Sequence, residues 1–327
     1  MILAGDVGGT KSALAVLDET SATRRIVREA TLPSREIERF EDAVATFIGG
    51  APALRVRAAC FGVAGPLADG RAVTTNLPWE LTESKLAGVL GCPVRLLNDL
   101  EAAATGVLDL PDEDFLILQS GQRRSGGHMA MIAAGTGLGE AFMIWDGSRY
   151  QVVASEGGHV DFAPRDELEM DLLRFLRAEF GHVSYERVLS GPGLHHIYRF
   201  LQSRAGHAAP DWLRHRLGSE DPSAVISEVA LAGDDPVCAE ALDRFVSVYG
   251  SEAGNLALKA VATGGVVVGG GIAPRIRARL AGGRFVEAFL AKGRFGELLS
   301  TVPVKISLDP RAPLWGAARV ARELAGA

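Results

Sequence analysis

Four short stretches of this sequence carry residue types that can do chemistry. The first is Gly5-Asp6-Val7-Gly8-Gly9-Thr10-Lys11, two glycines set between apolar, β-like runs. In a tight hairpin of this kind the backbone N–H groups can converge on an anion, because no side chain stands in the way. Thr10 would add a hydroxyl donor and Lys11 a positive charge, while Asp6 at the strand end could hold a hydrated Mg²⁺. The same residues also suit an ordinary Gly-Gly turn beside a solvated aspartate. The second stretch, Ala134-Gly135-Thr136-Gly137-Leu138-Gly139, repeats the theme of apolar strand, Gly/Thr turn and strand. The third is the pair Asn98-Asp99, which follows the apolar run Val94-Arg95-Leu96-Leu97 and precedes a helix. Ligand groups of α/β sheets gather at such carboxyl ends of strands. The fourth is Gly269-Gly270-Gly271, after Val266-Val267-Val268, where bare backbone can meet a flat ring or a phosphate.

Competing motifs are weaker. Gly135-x-Gly137-x-Gly139 with Glu156 downstream invites a dinucleotide site, but that motif opens a helix. Here Phe142-Met143-Ile144-Trp145 and then Asp146-Gly147 read as a strand and a turn. No Gly-x4-Gly-Lys-[Ser/Thr] loop is present. Cys60, Cys92 and Cys238 lie far apart with no Cys-x-x-Cys pair, so they read as buried reduced thiols. His195 and His196 are adjacent and cannot share one helix face, so they read as surface or packing residues.

A chain of 327 residues suits two domains, and 47% hydrophobic residues can bury a large core. A net charge of −6 and a pI near 5.7 argue against nucleic acid as the main partner. No apolar run is long enough to span a membrane, and the N-terminus lacks a basic segment with an apolar signal core. The expected location is cytoplasmic.

The elements needed to position these residues alternate. After the hairpin comes a strand over 25–32, then a helix capped by Ser34 with Ile37, Phe40, Val44 and Phe47 on one face. A buried strand over 56–64 follows, then a helix from Thr82 to Gly91, a strand over 94–97 and a helix over 100–109. The second half brings strands at 115–118 and 129–134, the second hairpin, and a helix over 166–180. The charged face of that helix, with Glu167, Glu169 and Asp171, is expected in solvent. The polar stretch 206–222 reads as a mobile loop. The longest helix starts at Asp235-Pro236, and a small-residue face of Gly250, Ala253 and Gly254 would let a neighbour come close. Ile272-Ala273-Pro274 is expected to open a helix, and a C-terminal helix is expected to return to the first half. The order is α/β, with a small domain of residues 1–109 plus 309–327 and a large one of residues 110–308.

Taken together, these blocks resemble the actin-like sugar-kinase superfamily. Gly5 to Thr10 looks like its first phosphate motif, Ala134 to Gly139 like its second, and Val268-Gly269-Gly270-Gly271-Ile272 like its adenosine motif. Leu97-Asn98-Asp99-Leu100, the block Glu156-Gly157-Gly158-His159-Val160-Asp161-Phe162-Ala163-Pro164, and Arg177 to Gly193 are similar to the bacterial glucokinase family. Lys11 follows Thr10 where the nearest glucokinases more often carry Asn, and this Thr-Lys wording is shared with the related ROK sugar kinases and repressors. The cysteine-rich zinc motif of that group is missing, as is an N-terminal DNA-binding helix pair, so the zinc-free glucokinase branch fits better.

The resemblance implies a two-domain actin-like ATPase (ribonuclease H-like) fold with an interdomain cleft. It implies transfer of the γ-phosphoryl of ATP to the 6-hydroxyl of glucose, with Asp99 as general base. Sugar ligands would be Asn98, Asp99, Glu156, His159 and Glu186, with Asn76 from a nearby loop. Gly5, Asp6, Val7, Gly8, Gly9 and Thr10 would hold phosphate together with Gly135, Thr136 and Gly137. Gly269, Gly270 and Gly271 would line the adenine, and Asp6 would reach Mg²⁺ through water. A homodimer is implied as well. The rival expectations are a kinase for another hexose or an N-acetyl amino sugar, and a sugar-sensing regulator without transfer.

Overall fold

The computed structural model describes residues 1–18, 25–50, 55–74 and 77–326. By internal contacts the chain divides into two compact units, Met1–Asp112 with Asp309–Ala327, and Glu113–Leu308.

The first unit contains β1 (Ile2–Val7), β2 (Lys11–Leu17), β3 (Ile26–Pro33), α1 (Phe40–Gly49), β4 (Ala58–Val63), β5 (Leu67–Ala68), β6 (Arg71–Val73), β7 (Glu80–Thr82), α2 (Glu83–Leu90), β8 (Val94–Asn98) and α3 (Asp99–Val107). Its main sheet has the order β3-β2-β1-β4-β8, and β5, β6 and β7 form a small second sheet. β1 pairs antiparallel with β2 across the Gly8-Gly9 turn, while β1, β4 and β8 run parallel. β4 is buried along its whole length, as a parallel strand covered on both faces must be. Thr82 caps α2 by accepting from the Lys85 N–H, and Gly91 closes that helix in the left-handed conformation.

Val7, Val63 and Asn98 stand level across the three parallel strands. Their carboxyl ends therefore form one edge, which carries the first hairpin turn and the start of α3. Ser34 does not cap a helix: α1 begins only at Phe40, without a side-chain cap. Ser34 is instead buried against the first turn.

The second unit contains β9 (Phe115–Gln119), β10 (Met129–Ala134), β11 (Leu138–Trp145), β12 (Tyr150–Ser155), α4 (Glu167–Phe180), α5 (Gly191–Arg204), α6 (Asp211–Ser219), α7 (Pro222–Ala232), α8 (Pro236–Ala260), β13 (Gly265–Gly269), α9 (Arg277–Leu280), α10 (Arg284–Leu290), α11 (Gly296–Ser300) and β14 (Val304–Ser307). Its sheet runs β12-β11-β10-β13-β14-β9. β10 and β11 form the expected hairpin, with Ala134 opposite Leu138. α8 takes α10 against its small residues: a Cβ on Gly250 would stand 2.0 Å from the Phe285 carbonyl oxygen.

Three expectations for this unit fail. Within 206–222 the chain forms α6, because Leu213 finds a fully buried place in the core. Glu169 is buried rather than solvated, because Arg165 and Arg244 reach it across the turn and from α8. Residues 272–274 lie in a run of turns before the four-residue α9. Cys60 and Cys238 are buried free thiols, and His196 packs on Phe180 with Nδ1 beside the Arg187 carbonyl. Among the described residues no helix is long and apolar enough to cross a membrane.

The chain ends with α12 (Ala312–Gly326), which packs on α3, β1 and β4 of the first unit. The two helices touch backbone to backbone. A Cβ on Gly106 would lie 1.8 Å from the Ala312 oxygen, and one on Gly316 would lie 1.8 Å from the Ala102 oxygen. Gly316→Ala should therefore lower the melting temperature. Forcing the helices apart costs about 1–3 kcal/mol or more, against about 1 kcal/mol gained in helix propensity. Gly326→Ala meets open space and serves as the control. Equal melting curves for the two variants would show that the contact is looser than described.

Candidate active site

In the first unit the Gly8–Lys11 turn is closed by the Gly8 N–H donating to the Lys11 oxygen at 3.1 Å. It is braced from below by Ser34. The Ser34 N–H donates to the Thr10 oxygen at 3.0 Å and Oγ donates to the Gly8 oxygen at 2.7 Å. Ser12 Oγ lies 2.9 Å from Ser34 Oγ, and both serines are fully buried. A rigid turn of this kind holds its outward amides in place before any ligand arrives. Gly5 and Val7 are buried inside β1, and the missing side chain of Gly5 makes room for Phe61.

Asp6, one residue from the strand end, is half-buried. Burial pushes its carboxyl up to about 6, the nearby Asp99 adds to the rise, and Lys11 opposes it. Across the sheet Asp6 stands level with Gly62, where a Cβ would sit 2.7 Å from the Ala102 Cβ and 3.9 Å from the Asp99 Cα. The bare backbone of Gly62 thus lets α3 start close against β4, next to β1.

Asn98, not Asp99, is the N-cap of α3. Its Oδ1 accepts from the Leu100 N–H at 2.9 Å and its Nδ2 donates to the Gly65 oxygen at 3.2 Å. Asp99 occupies the first helical position, half-buried, and its Oδ1 also accepts from the Leu100 N–H at 2.9 Å. A helix N-terminus favours negative charge there. Asn76 lies outside the described residues.

In the second unit, Gly135 donates its N–H to the Gly137 oxygen at 2.8 Å and accepts from the Gly191 N–H at 2.8 Å, which ties the second turn to the start of α5. Gly8 and Gly135 were expected to donate to phosphate, yet both donate within their own turns. Tyr249 reaches up from α8, with its hydroxyl 3.0 Å from the Ala134 nitrogen and 3.3 Å from the Gly269 oxygen. Gly269 is buried in β13, while Gly270 and Gly271 form an exposed turn. Gly270 has φ of 80°, and a Cβ there would meet the Ala134 oxygen at 2.3 Å, so only glycine fits.

Glu186 joins the second turn to the other predicted sugar residues. Its Oε2 accepts from the Leu138 N–H at 3.0 Å, and a Cβ on Gly137 would come within 2.5 Å of the same oxygen. Its Oε1 lies 4.0 Å from His159 Nδ1, while His159 Nε2 lies 3.9 Å from Glu156 Oε2. Glu156, His159 and Glu186 thus converge. The Glu156 side chain is 85% exposed and that of His159 59% exposed, so neither is a packing residue and both can meet a ligand. Gly157–His159 forms one 3₁₀ turn pressed onto β11, where a Cβ on Gly158 would clash with the Leu138 oxygen at 2.1 Å.

Sequence reasoning missed Ser34 as the brace of the first turn, and it missed Glu140. Glu140 is a buried carboxyl on β11, and among the described residues neither of its oxygens has a hydrogen-bond partner. The signal for Glu140 was an acid at an inward position of an apolar strand; nothing local marked Ser34. Among the described residues no group of three or more His, Cys, Asp or Glu forms a metal cage. A single carboxylate such as Asp6 suits Mg²⁺ that arrives with its own phosphates and waters.

The glucokinase family model matches residues 3–324. A glucokinase of Nostoc sp. is 39% identical over 99% of this chain and 99% of its own length. The crystal structure of a glucokinase from an Antarctic psychrotroph superposes with a TM-score of 0.87 at 33% identity, covering 98% of both chains. A ROK family glucokinase from Streptomyces griseus, in complex with glucose and AMPPNP, shares the fold at 24% identity, with a TM-score of 0.66 and coverage of 98% and 99%. With a family match over nearly the whole length and a relative this similar, the chain belongs to the glucokinase family, as an enzyme with that family's two-domain actin-like fold.

Proposed function

We propose that the enzyme transfers the γ-phosphoryl of ATP to the 6-hydroxyl of glucose, with Asp99 as general base. The observation that carries this reading is the position of Asp99. It opens a helix at the carboxyl edge of β1, β4 and β8, beside Asp6 and the first Gly-Gly turn. The Asp99 carboxylate takes the proton of the 6-hydroxyl as that oxygen attacks. The new O6–P bond forms while the bond from phosphorus to the β,γ-bridging oxygen breaks, and ADP leaves. Such a transfer needs positioning and charge neutralisation more than covalent chemistry.

The carboxylates of Asp99, Glu156 and Glu186 accept hydrogen bonds from the glucose hydroxyls and can fork onto adjacent ones, while the Asn98 amide and the His159 imidazole can donate or accept. The outward amides at Gly9, Thr10, Thr136 and Gly137, with the Thr10 hydroxyl, meet phosphate oxygens. Gly270 and Gly271 meet the adenine side. Mg²⁺ bound with the nucleotide would neutralise phosphate charge, and Asp6 would hold it through water.

The test is ADP release measured with glucose, without sugar, and with mannose and N-acetylglucosamine. Release should depend on added sugar, with glucose giving the highest kcat/KM. Sugar-independent hydrolysis, or glucose binding without ADP release, would overturn the reading. A higher kcat/KM for another hexose would move the specificity to that sugar.

A further inference from the structure

Glu140 lies between the second turn and the Glu156–His159 turn. On β11 it stands opposite Ile132 of β10 and Ser155 of β12. Its residue is 1% exposed, and neither carboxyl oxygen has a hydrogen-bond partner among the described residues. Directly above it sits Gly157, where a Cβ would be 2.1 Å from Glu140 Oε2. The carboxyl is thus the floor on which the 3₁₀ turn rests.

From α8, Tyr249, Glu252 and Lys259 act on it. Its register partners are Ile132 on β10 and Ser155 on β12, and the turn above sets Gly157 over it, with the exposed Glu156 and His159 at either end of that turn. Glu252 is fully buried and already bonded to Asn255 Nδ2 at 2.7 Å and Lys259 Nζ at 3.3 Å. Burial first, and Glu252 second, push the Glu140 carboxyl up to about 7, with Lys259 opposing.

Taking Glu156 and His159 as sugar ligands, as proposed above, we infer that Glu140 is a positioning residue: its neutral carboxyl supports the Gly157 turn, and its ionisation loosens that turn and weakens glucose binding. A charge formed here has no donor and faces the Glu252 carboxylate. Two of the walls around it are paired strands and a third is the long helix α8. The fourth, the single turn over Gly157, is the part that can give way. The sign follows from linkage. Glucose favours the protonated form, so its Kd is flat below the carboxyl's pKa and rises above it.

The test compares wild type with Glu140→Gln. From pH 6 to 8.5 the wild-type glucose Kd should rise by at least about fivefold, while the variant, neutral throughout, should change by less than about twofold. A second arm needs neither sugar nor a variant. Hydrogen exchange at the Gly157–Val160 amides of the wild type, corrected for the intrinsic pH effect, should speed up above pH 7. A wild-type Kd that does not rise, an equal rise in Glu140→Gln, or amide exchange that does not change with pH would each overturn the role of Glu140. No glucose binding at any pH would overturn the proposed glucose site instead, and the exchange arm still decides whether Glu140 supports the turn.

Discussion

Replacing Asp99 by Asn should cut turnover by orders of magnitude while leaving glucose bound. Asparagine keeps an oxygen for the Leu100 N–H, so the start of α3 survives. What it cannot do is take a proton from an attacking hydroxyl. A positioned general base contributes about 10²–10⁴ in rate, so kcat should fall by two to four orders of magnitude. Asp99→Ala should lose at least as much, and some glucose affinity as well. Coupled measurement of ADP release, with glucose binding followed by calorimetry, separates the two effects. Turnover within tenfold of wild type in Asp99→Asn would remove Asp99 from the chemistry and leave it as a residue of the helix start.

The second large effect is expected at Glu186. This carboxylate accepts from the Leu138 N–H at the second turn and lies 4.0 Å from His159, a proposed sugar ligand. If Glu186 binds glucose as proposed, Glu186→Ala removes a charged hydrogen-bond acceptor worth about 1.5–3 kcal/mol, or roughly 10- to 150-fold in KM. It also strands the Leu138 N–H, so the KM for ATP should rise by a smaller factor. Glu186→Gln keeps an acceptor for Leu138 and should restore the ATP KM while leaving most of the glucose defect. Steady-state kinetics in both substrates read the pattern. A glucose KM within twofold of wild type in Glu186→Ala would mean that Glu186 only props the turn.

Much of the frame was legible because its signals are local. Paired glycines between apolar runs announced both hairpins, and Thr82 and Gly91 marked the two ends of α2. Asn98-Asp99 at a strand end was visible as a polar pair, though which of the two caps α3 was not. That depends on backbone geometry, and Asn98 takes the role because its Nδ2 can also hold the Gly65 carbonyl.

The misreadings come from long-range packing. Ser34 looked like a cap, but β3 carries it beside the first turn, where its hydroxyl meets Gly8 and Ser12. Glu169 looked solvated because its partner Arg244 lies 75 positions away in sequence. The stretch 206–222 looked like a loop by composition, yet Leu213 and the partners of Arg216 anchor a helix there. Glu140 passed as one residue of a strand, because its isolation exists only once α8 and the Gly157 turn close over it.

The glycine-to-backbone seam between α3 and α12 bears on how the protein is made. A ribosome delivers Met1–Asp112 first, then roughly two hundred residues of the other unit, and only then α12. At about 5–20 residues per second, the early segment waits roughly ten to forty seconds for the helix that covers β1 and β4. During that interval the apolar face of two central strands has no lid, while Glu113–Leu308 is continuous in sequence and can close on itself. Nascent chains stalled before position 312 should therefore engage chaperones through their oldest part rather than their newest.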